Sequence, residues 1–145
     1  MFPEEMVRPF REELTNIGFR ELRTPAQVDA VLKNEKGTVL VVVNSVCGCA
    51  AGKMRPGVRM SLQHPTLPDQ KITVFAGQDR EATDKVRSHL AGHPPSSPAI
   101  AMFRDGELVF LMQRSVIESS SAPQIAQYLT QAYDEICAKP SPVTQ

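Results

Sequence analysis

Two thiols one residue apart, in Cys47-Gly48-Cys49, are the side chains of this chain best suited to chemistry. A thiolate is a strong nucleophile and a soft metal ligand, so a close pair points to disulfide exchange or to metal ligation. Three cysteines in 145 residues are too few, and odd in number, for a secreted disulfide framework. Gly48 places no side chain between the thiols and leaves room for a bulky disulfide. A disulfide across one intervening residue closes a tighter ring than one across two, and strain eases reduction, so the spacing predicts a pair that favours exchange and mixed disulfides.

Two plainer readings compete with exchange. The cysteines are inert core residues, or they join His64, His89, His93 or Cys137 in a metal-binding module. No second C-x-x-C and no H-x-x-x-H accompanies them. Cys137, beside Ile136 on the apolar side of the last helical stretch, reads as a buried structural thiol, with an auxiliary redox thiol as the sharper alternative. The histidines read as surface or capping residues, since exchange needs no dedicated base once the thiolate is stabilised.

The elements around the pair decide how it is positioned. Thr38 to Asn44 is β-branched and continuously apolar, as a central strand covered on both faces requires. It discharges into Ser45 to Met54, whose small and straight-chain residues predict a helix starting near the cysteines. Unpaired backbone N–H groups and the positive end of that helix favour the thiolate at Cys47. Lys53, Arg55 and Arg59 follow with no acidic residue between Asn44 and Gln63, which predicts a locally positive field. Arg55-Pro56-Gly57 is expected to kink or stop this helix before Val58 to Leu62 continue it.

Upstream, apolar spacing predicts a helix over Pro3–Ile17 and another from Pro25 to near Lys36-Gly37, capped by Thr24. Downstream come a short strand over Lys71–Phe75 and a helix over Asp79–Leu90, with Asp79 as candidate cap. A hairpin follows, Ala99–Phe103 and Glu107–Met112 joined at Asp105-Gly106, and then a helix over Ala122–Ala138. The order α-α-β-α-β-α-β-β-α predicts an α/β, thioredoxin-like fold: a central mixed sheet flanked by helices, with an N-terminal helical extension. One domain is expected over 1–138, with a flexible tail over 139–145. In that plan Ser97-Pro98, just before the third strand, is cis beside the thiols, and Gly48, Ser97 and Pro98 receive an extended substrate.

Sixteen basic and sixteen acidic residues cancel, which leaves no net field to favour nucleic acid or an anionic membrane. No apolar leader opens the chain and no run of about 18 apolar residues crosses it, so a cytoplasmic protein is expected.

Four ordered motifs resemble the bacilliredoxin family: Asn44 to Gly52, Val74 to Thr83, Pro94 to Ala101, and Asp105 to Val109, with Met6-Val7-Arg8-Pro9 and Tyr133 to Cys137 at the ends. The resemblance implies a thioredoxin-like enzyme that removes bacillithiol, or a similar low-molecular-weight thiol, from thiolated client proteins. It makes Cys47 the attacking nucleophile and Cys49, or a second small thiol, the resolving group. The small thiol is a co-substrate, no cofactor or metal is bound, and the partners are S-thiolated clients. A disulfide isomerase or reductase of broader specificity, and a thioredoxin-like adaptor without turnover, are the neighbouring readings.

Overall fold

A computed structural model describes residues 1–34 and 36–138. The tail expected over 139–145 lies outside the described residues. Five strands form one sheet: β1 (Arg20–Glu21), β2 (Thr38–Asn44), β3 (Gln70–Phe75), β4 (Ala99–Arg104) and β5 (Glu107–Met112), in spatial order β1-β3-β2-β4-β5. The first three run parallel, while β4 and β5 are antiparallel to their neighbours, as the predicted mixed sheet requires. Helices α1 (Glu4–Thr15), α2 (Pro25–Asn34), α3 (Arg55–Ser61), α4 (Arg80–Ser88), α5 (Arg114–Glu118) and α6 (Ala122–Ile136) cover its faces.

All seven residues of β2 are buried, and the period-two pleat divides them between two cores. Val39, Val41 and Val43 pack with Val28 and Val31 of α2 and Ala82 and Val86 of α4. Leu40 and Val42 meet Leu14 of α1, Val58 of α3, and Ile125 and Leu129 of α6 on the other face. A strand covered on both sides has no polar face to show, hence its unbroken apolar sequence.

Local signals read from the sequence are realised at several joints. Thr24 Oγ1 accepts from the Gln27 N–H while Gln27 Oε1 accepts from the Thr24 N–H, a reciprocal cap on α2. Asp105 and Gly106 both have positive φ, 51° and 85°, as a tight hairpin between right-twisted strands demands. Asp79 does stand at the N-cap of α4, but its carboxylate makes no capping bond. It turns instead to Arg11, 2.6 Å away.

Arg11 is the buried hub of the N-terminal helix. Only 4% exposed, it meets Glu4 at 2.6 Å, Glu21 at 2.7 Å and Asp79, with its guanidinium 5.1 Å from the centre of the Phe75 ring. One cation thus ties α1 to β1, to the end of β3 and to the start of α4. It holds the Glu4 carboxyl below its usual range through their hydrogen bond, against the opposing pull of burial.

Three elements depart from the expected order. Two-residue β1 and five-residue α5 are too short to show a period; pairing with β3, extended by the Leu22 N–H to Thr73 oxygen bond, places the first, and the buried Ile117 helps to anchor the second. The helix after the cysteines neither stops nor restarts at Pro56. It starts as α-helix at 48–49, runs through a π-helical stretch, Ala50–Met54, and passes into α3 at Arg55. Proline offers no N–H and its ring crowds the carbonyl four residues back, and the wider turn falls on that stretch.

At Gly57, α3 and α6 approach closely. A Cβ there would lie 2.7 Å from Ile125 Cγ2 and 3.0 Å from the Ala122 carbonyl oxygen. Neither is the free end of a flexible chain, so Gly57→Ala is expected to force the helices apart and lower stability by about 1–3 kcal/mol. Urea denaturation read as a midpoint shift at constant slope checks this.

Candidate functional site

Strand β2 delivers the chain to the cysteines. Its last residue, Asn44, is buried; Nδ2 donates to the Phe10 carbonyl in α1 at 3.1 Å, and Oδ1 accepts from the Ser45 N–H at 2.9 Å. Arg55, 2% exposed, closes the junction from the far side by donating to Asn44 Oδ1 at 3.0 Å and to the Ser45 carbonyl at 2.9 Å. Its Nε lies 3.2 Å from Glu13, and its guanidinium stacks 4.9 Å from the Phe10 ring centre. Ser45 is therefore held through both its N–H and its carbonyl, and it is Ser45 that touches the thiol.

The Ser45 hydroxyl donates to Cys47 Sγ at 3.2 Å, and Cys49 Sγ lies 2.9 Å from Cys47 Sγ. The Cys47 carbonyl accepts from the N–H groups of both Ala50 and Ala51, so the first turn winds down directly onto this residue. Both cysteines are half-buried free thiols, packed against the core beneath. The two are unequal. Burial works against ionisation of Cys47, but hydrogen bonds from Cys49, Ser45 and the Ala50 N–H, with the charge of Arg114, outweigh it and bring the thiol below its ordinary value. Cys49 is pushed up, first by burial and then by the hydrogen bond and negative charge of Cys47.

The charge that faces the thiols is not the one the sequence pointed to. Of the three basic residues after Cys49, Arg55 is spent on Asn44, Ser45 and Glu13, Lys53 donates to the Glu118 carbonyl, and Arg59 faces a separate cavity with Glu12 and Glu13. The facing cation is Arg114, at the start of α5, a residue no local pattern singled out. Its place depends on how β5 and α5 fold back past the π-helical turn.

The other expected site residues are found as follows. Ser97-Pro98 is cis, with Pro98 buried and Ser97 half-buried beside Cys47 in a shared groove. Gly48 is exposed; a Cβ placed on it would meet nothing within 4 Å, so the space above the pair is open and no close approach within the chain explains the glycine. Cys137 is buried near Thr38, at the opposite end of β2 from the thiol pair. Six residue steps of strand separate those ends by roughly 20 Å, too far for a disulfide. His64 pairs with Asp134 and His89 with Asp29, each away from the cysteines. Among the described residues no cluster of three metal-capable side chains forms.

A family described as disulphide isomerase matches residues 2–137. A bacilliredoxin of Koribacter versatilis is 57% identical over 137 residues, covering 94% of each chain, and one of Cytophaga hutchinsonii is 54% identical over 136 residues, covering 94% of this chain and all of the relative. The chain is a member of the bacilliredoxin family. The fold also matches mitochondrial thioredoxin 3 of Saccharomyces cerevisiae, with a TM-score of 0.56 at 13% identity over 82% of this chain and 96% of the other. A thioredoxin of Malassezia sympodialis gives 0.57 at 14% identity over 83% and 92%. At such identity the likeness speaks for the fold alone, and with the family it supports a thiol-disulfide oxidoreductase. No helix among the described residues is long and apolar enough to cross a membrane.

The thiols of Cys47 and Cys49 are expected to titrate apart. Thiolate absorbance followed against pH should show a first step below the ordinary cysteine range that disappears in Cys47→Ser. Arg114→Met should move that step upward, because loss of a nearby positive charge disfavours the thiolate. An unmoved step would place the stabilising charge elsewhere.

Proposed function

We propose that this protein removes bacillithiol, or a similar low-molecular-weight thiol, from mixed disulfides on client proteins in the cytoplasm. The observation that carries this reading is the inequality of two thiols 2.9 Å apart, Cys47 lowered and Cys49 raised. Cys47 attacks as thiolate. It bonds to the sulfur of the small thiol, the client's disulfide breaks, and the client leaves as thiolate and takes up a proton.

The first step prepares the second. Once Cys47 is in a mixed disulfide it carries no charge and no longer acts on Cys49, so two of the causes that raise the Cys49 thiol vanish. Cys49 then loses its proton more readily, attacks Cys47 Sγ and expels the small thiol. The protein's dithiol has given up two electrons and become a disulfide. A second small thiol is the alternative resolving partner, leaving as a symmetrical disulfide and restoring Cys47. Gly48, Ser97 and Pro98 border the approach and serve to admit and align the substrate.

The family description as disulphide isomerase favours a second reading, a reductase or isomerase acting on protein disulfides more broadly. One experiment separates them. Reduced protein is mixed with a client carrying a single S-thiolated cysteine, and separately with a protein whose native disulfides have been scrambled. Rapid release of the small thiol with slow unscrambling supports the first reading; the reverse supports the second, and neither activity refutes both.

A further inference from the structure

Both polar ends of the Ser45 backbone lead to one guanidinium nitrogen. Arg55 Nη1 donates to the Ser45 carbonyl at 2.9 Å and to Asn44 Oδ1 at 3.0 Å, and the same Oδ1 accepts from the Ser45 N–H at 2.9 Å. The Ser45 hydroxyl is directed in its turn. Its oxygen accepts from the Cys47 N–H at 3.4 Å, while its single proton points to Cys47 Sγ, 3.2 Å away.

Stability alone does not account for an arginine at this position. The side chain is 1% exposed, while the carboxylate paired with it, that of Glu13, is 47% exposed and stands 3.2 Å from Nε without hydrogen-bond alignment. Nη2 is buried and has no hydrogen-bond partner among the described residues. A buried cation with two unbonded donors and its counter-charge at the surface is less favourable than an apolar side chain of similar length, which would also cover the Phe10 ring. An apolar side chain would not hold Asn44 and Ser45.

We infer that Arg55 is a positioning residue for thiol exchange: its guanidinium fixes the Ser45 peptide so that the Ser45 hydroxyl meets Cys47 Sγ, which makes Ser45 a catalytic residue of the same step. The inference rests on the exchange reading above and adds two residues to its machinery. In that step Cys47 Sγ bonds to one sulfur of a disulfide, the S–S bond breaks, and the departing thiolate takes up a proton. The Ser45 hydroxyl favours the thiolate before the attack and is released as the sulfur loses its charge. Nucleophilicity falls less steeply than basicity, with a slope of about 0.4–0.5. A donor on the sulfur therefore raises the rate where most of the thiol is protonated and lowers it where all of it is ionised.

The test follows thiolate absorbance, and the rate of attack on the neutral reagent hydroxyethyl disulfide, against pH. Ser45→Ala should raise the Cys47 step by about one pH unit, the scale of one hydrogen bond to a charged group. The rate should fall about threefold on the acid side of both steps and rise about threefold on the plateau above them, a crossing that a distorted site, slower everywhere, would not give. Arg55→Met should shift the step in the same direction, and on top of Ser45→Ala it should add nothing, because the hydroxyl through which it acts is gone. Arg55→Lys is the second variant should Arg55→Met not fold. It keeps the charge, ends one atom short of Nη1, and should give part of the shift alone and none on top of Ser45→Ala.

Arg87 and Arg114, the cations that border the groove of Cys47, are present in every variant, so their influence on the thiol stays constant. Arg59→Met removes an exposed charge from α3 and should leave the step in place. A step unmoved by Ser45→Ala overturns the inference while thiol exchange stands. So does an Arg55 effect that persists in full on top of Ser45→Ala, which would mean that the charge acts through space. No reaction of the parent protein with the reagent overturns the exchange reading and the inference together.

Discussion

A Cys47→Ser variant is expected to release no small thiol from a thiolated client, a loss on the order of 10³-fold or more, while Cys49→Ser attacks once and stops. The two substitutions differ because the thiols differ. A serine hydroxyl at position 47 is not ionised near neutrality, and Cys49, still pushed up by burial, lacks the Ser45 hydroxyl and Ala50 N–H bonds that favour the thiolate at 47, so it does not take over the attack at comparable speed. Cys49→Ser keeps a nucleophile at 47, still bonded by the Ser45 hydroxyl and the Ala50 N–H. It therefore accumulates the adduct, visible by intact mass as protein plus one small thiol. A wild-type rate that climbs and levels off below the ordinary thiol range, tracking the absorbance step, ties the attack to the Cys47 thiolate. Full turnover by both variants would rule out the assignment.

The largest structural effect is expected at Arg11. Arg11→Met keeps much of the apolar stem but removes the cation shared by Glu4, Glu21 and Asp79, of which the last two are only 14% and 11% exposed. Leaving partly buried carboxylates without their partner costs about 3 kcal/mol or more, a fall in Tm of roughly 10 °C. The pH dependence carries the sign. Because Arg11 holds the Glu4 carboxyl below its usual 4.5, the pair contributes its stability above that value and loses it as pH falls through the depressed one. Wild type and variant should therefore converge in acid and diverge toward neutrality, measured by urea unfolding at both. Adding Glu21→Gln and Asp79→Asn to Arg11→Met should recover part of the loss, since the stranded charges are then gone. A gap that stays constant with pH would mean that packing alone accounts for it.

These two residues belong to different parts of one construction. Arg11 fixes α1 against β1, the end of β3 and the start of α4, and α1 in turn presents Phe10 and Glu13 to the junction after β2. Arg55 closes that junction onto Ser45, and Ser45 contacts Cys47. The N-terminal helix is thus part of the scaffold of the thiol, since its backbone carbonyl and its carboxylate bind the residues that orient Ser45.

By itself the sequence determined the features that depend on near neighbours: the buried strand from its unbroken β-branched run, the cap at Thr24, the turn at Asp105-Gly106, and the thiol pair at a strand-to-helix junction. Each is set by backbone preference or by a side-chain period within a few residues, so a linear reading reaches it. What the tertiary structure alone decided is which charges meet. Lys53, Arg55 and Arg59 stand next to the cysteines in sequence, yet Lys53 and Arg55 are drawn off by Glu118, Asn44, Ser45 and Glu13, and the cation that faces the thiols is Arg114. Asp79 was legible as an N-cap, but a buried guanidinium outcompetes the helix N–H groups for its carboxylate. Electrostatics acts through space, and a helix turns successive side chains toward different neighbours. Proximity along the chain therefore located the thiol pair, and only the folded arrangement showed which charge faces it.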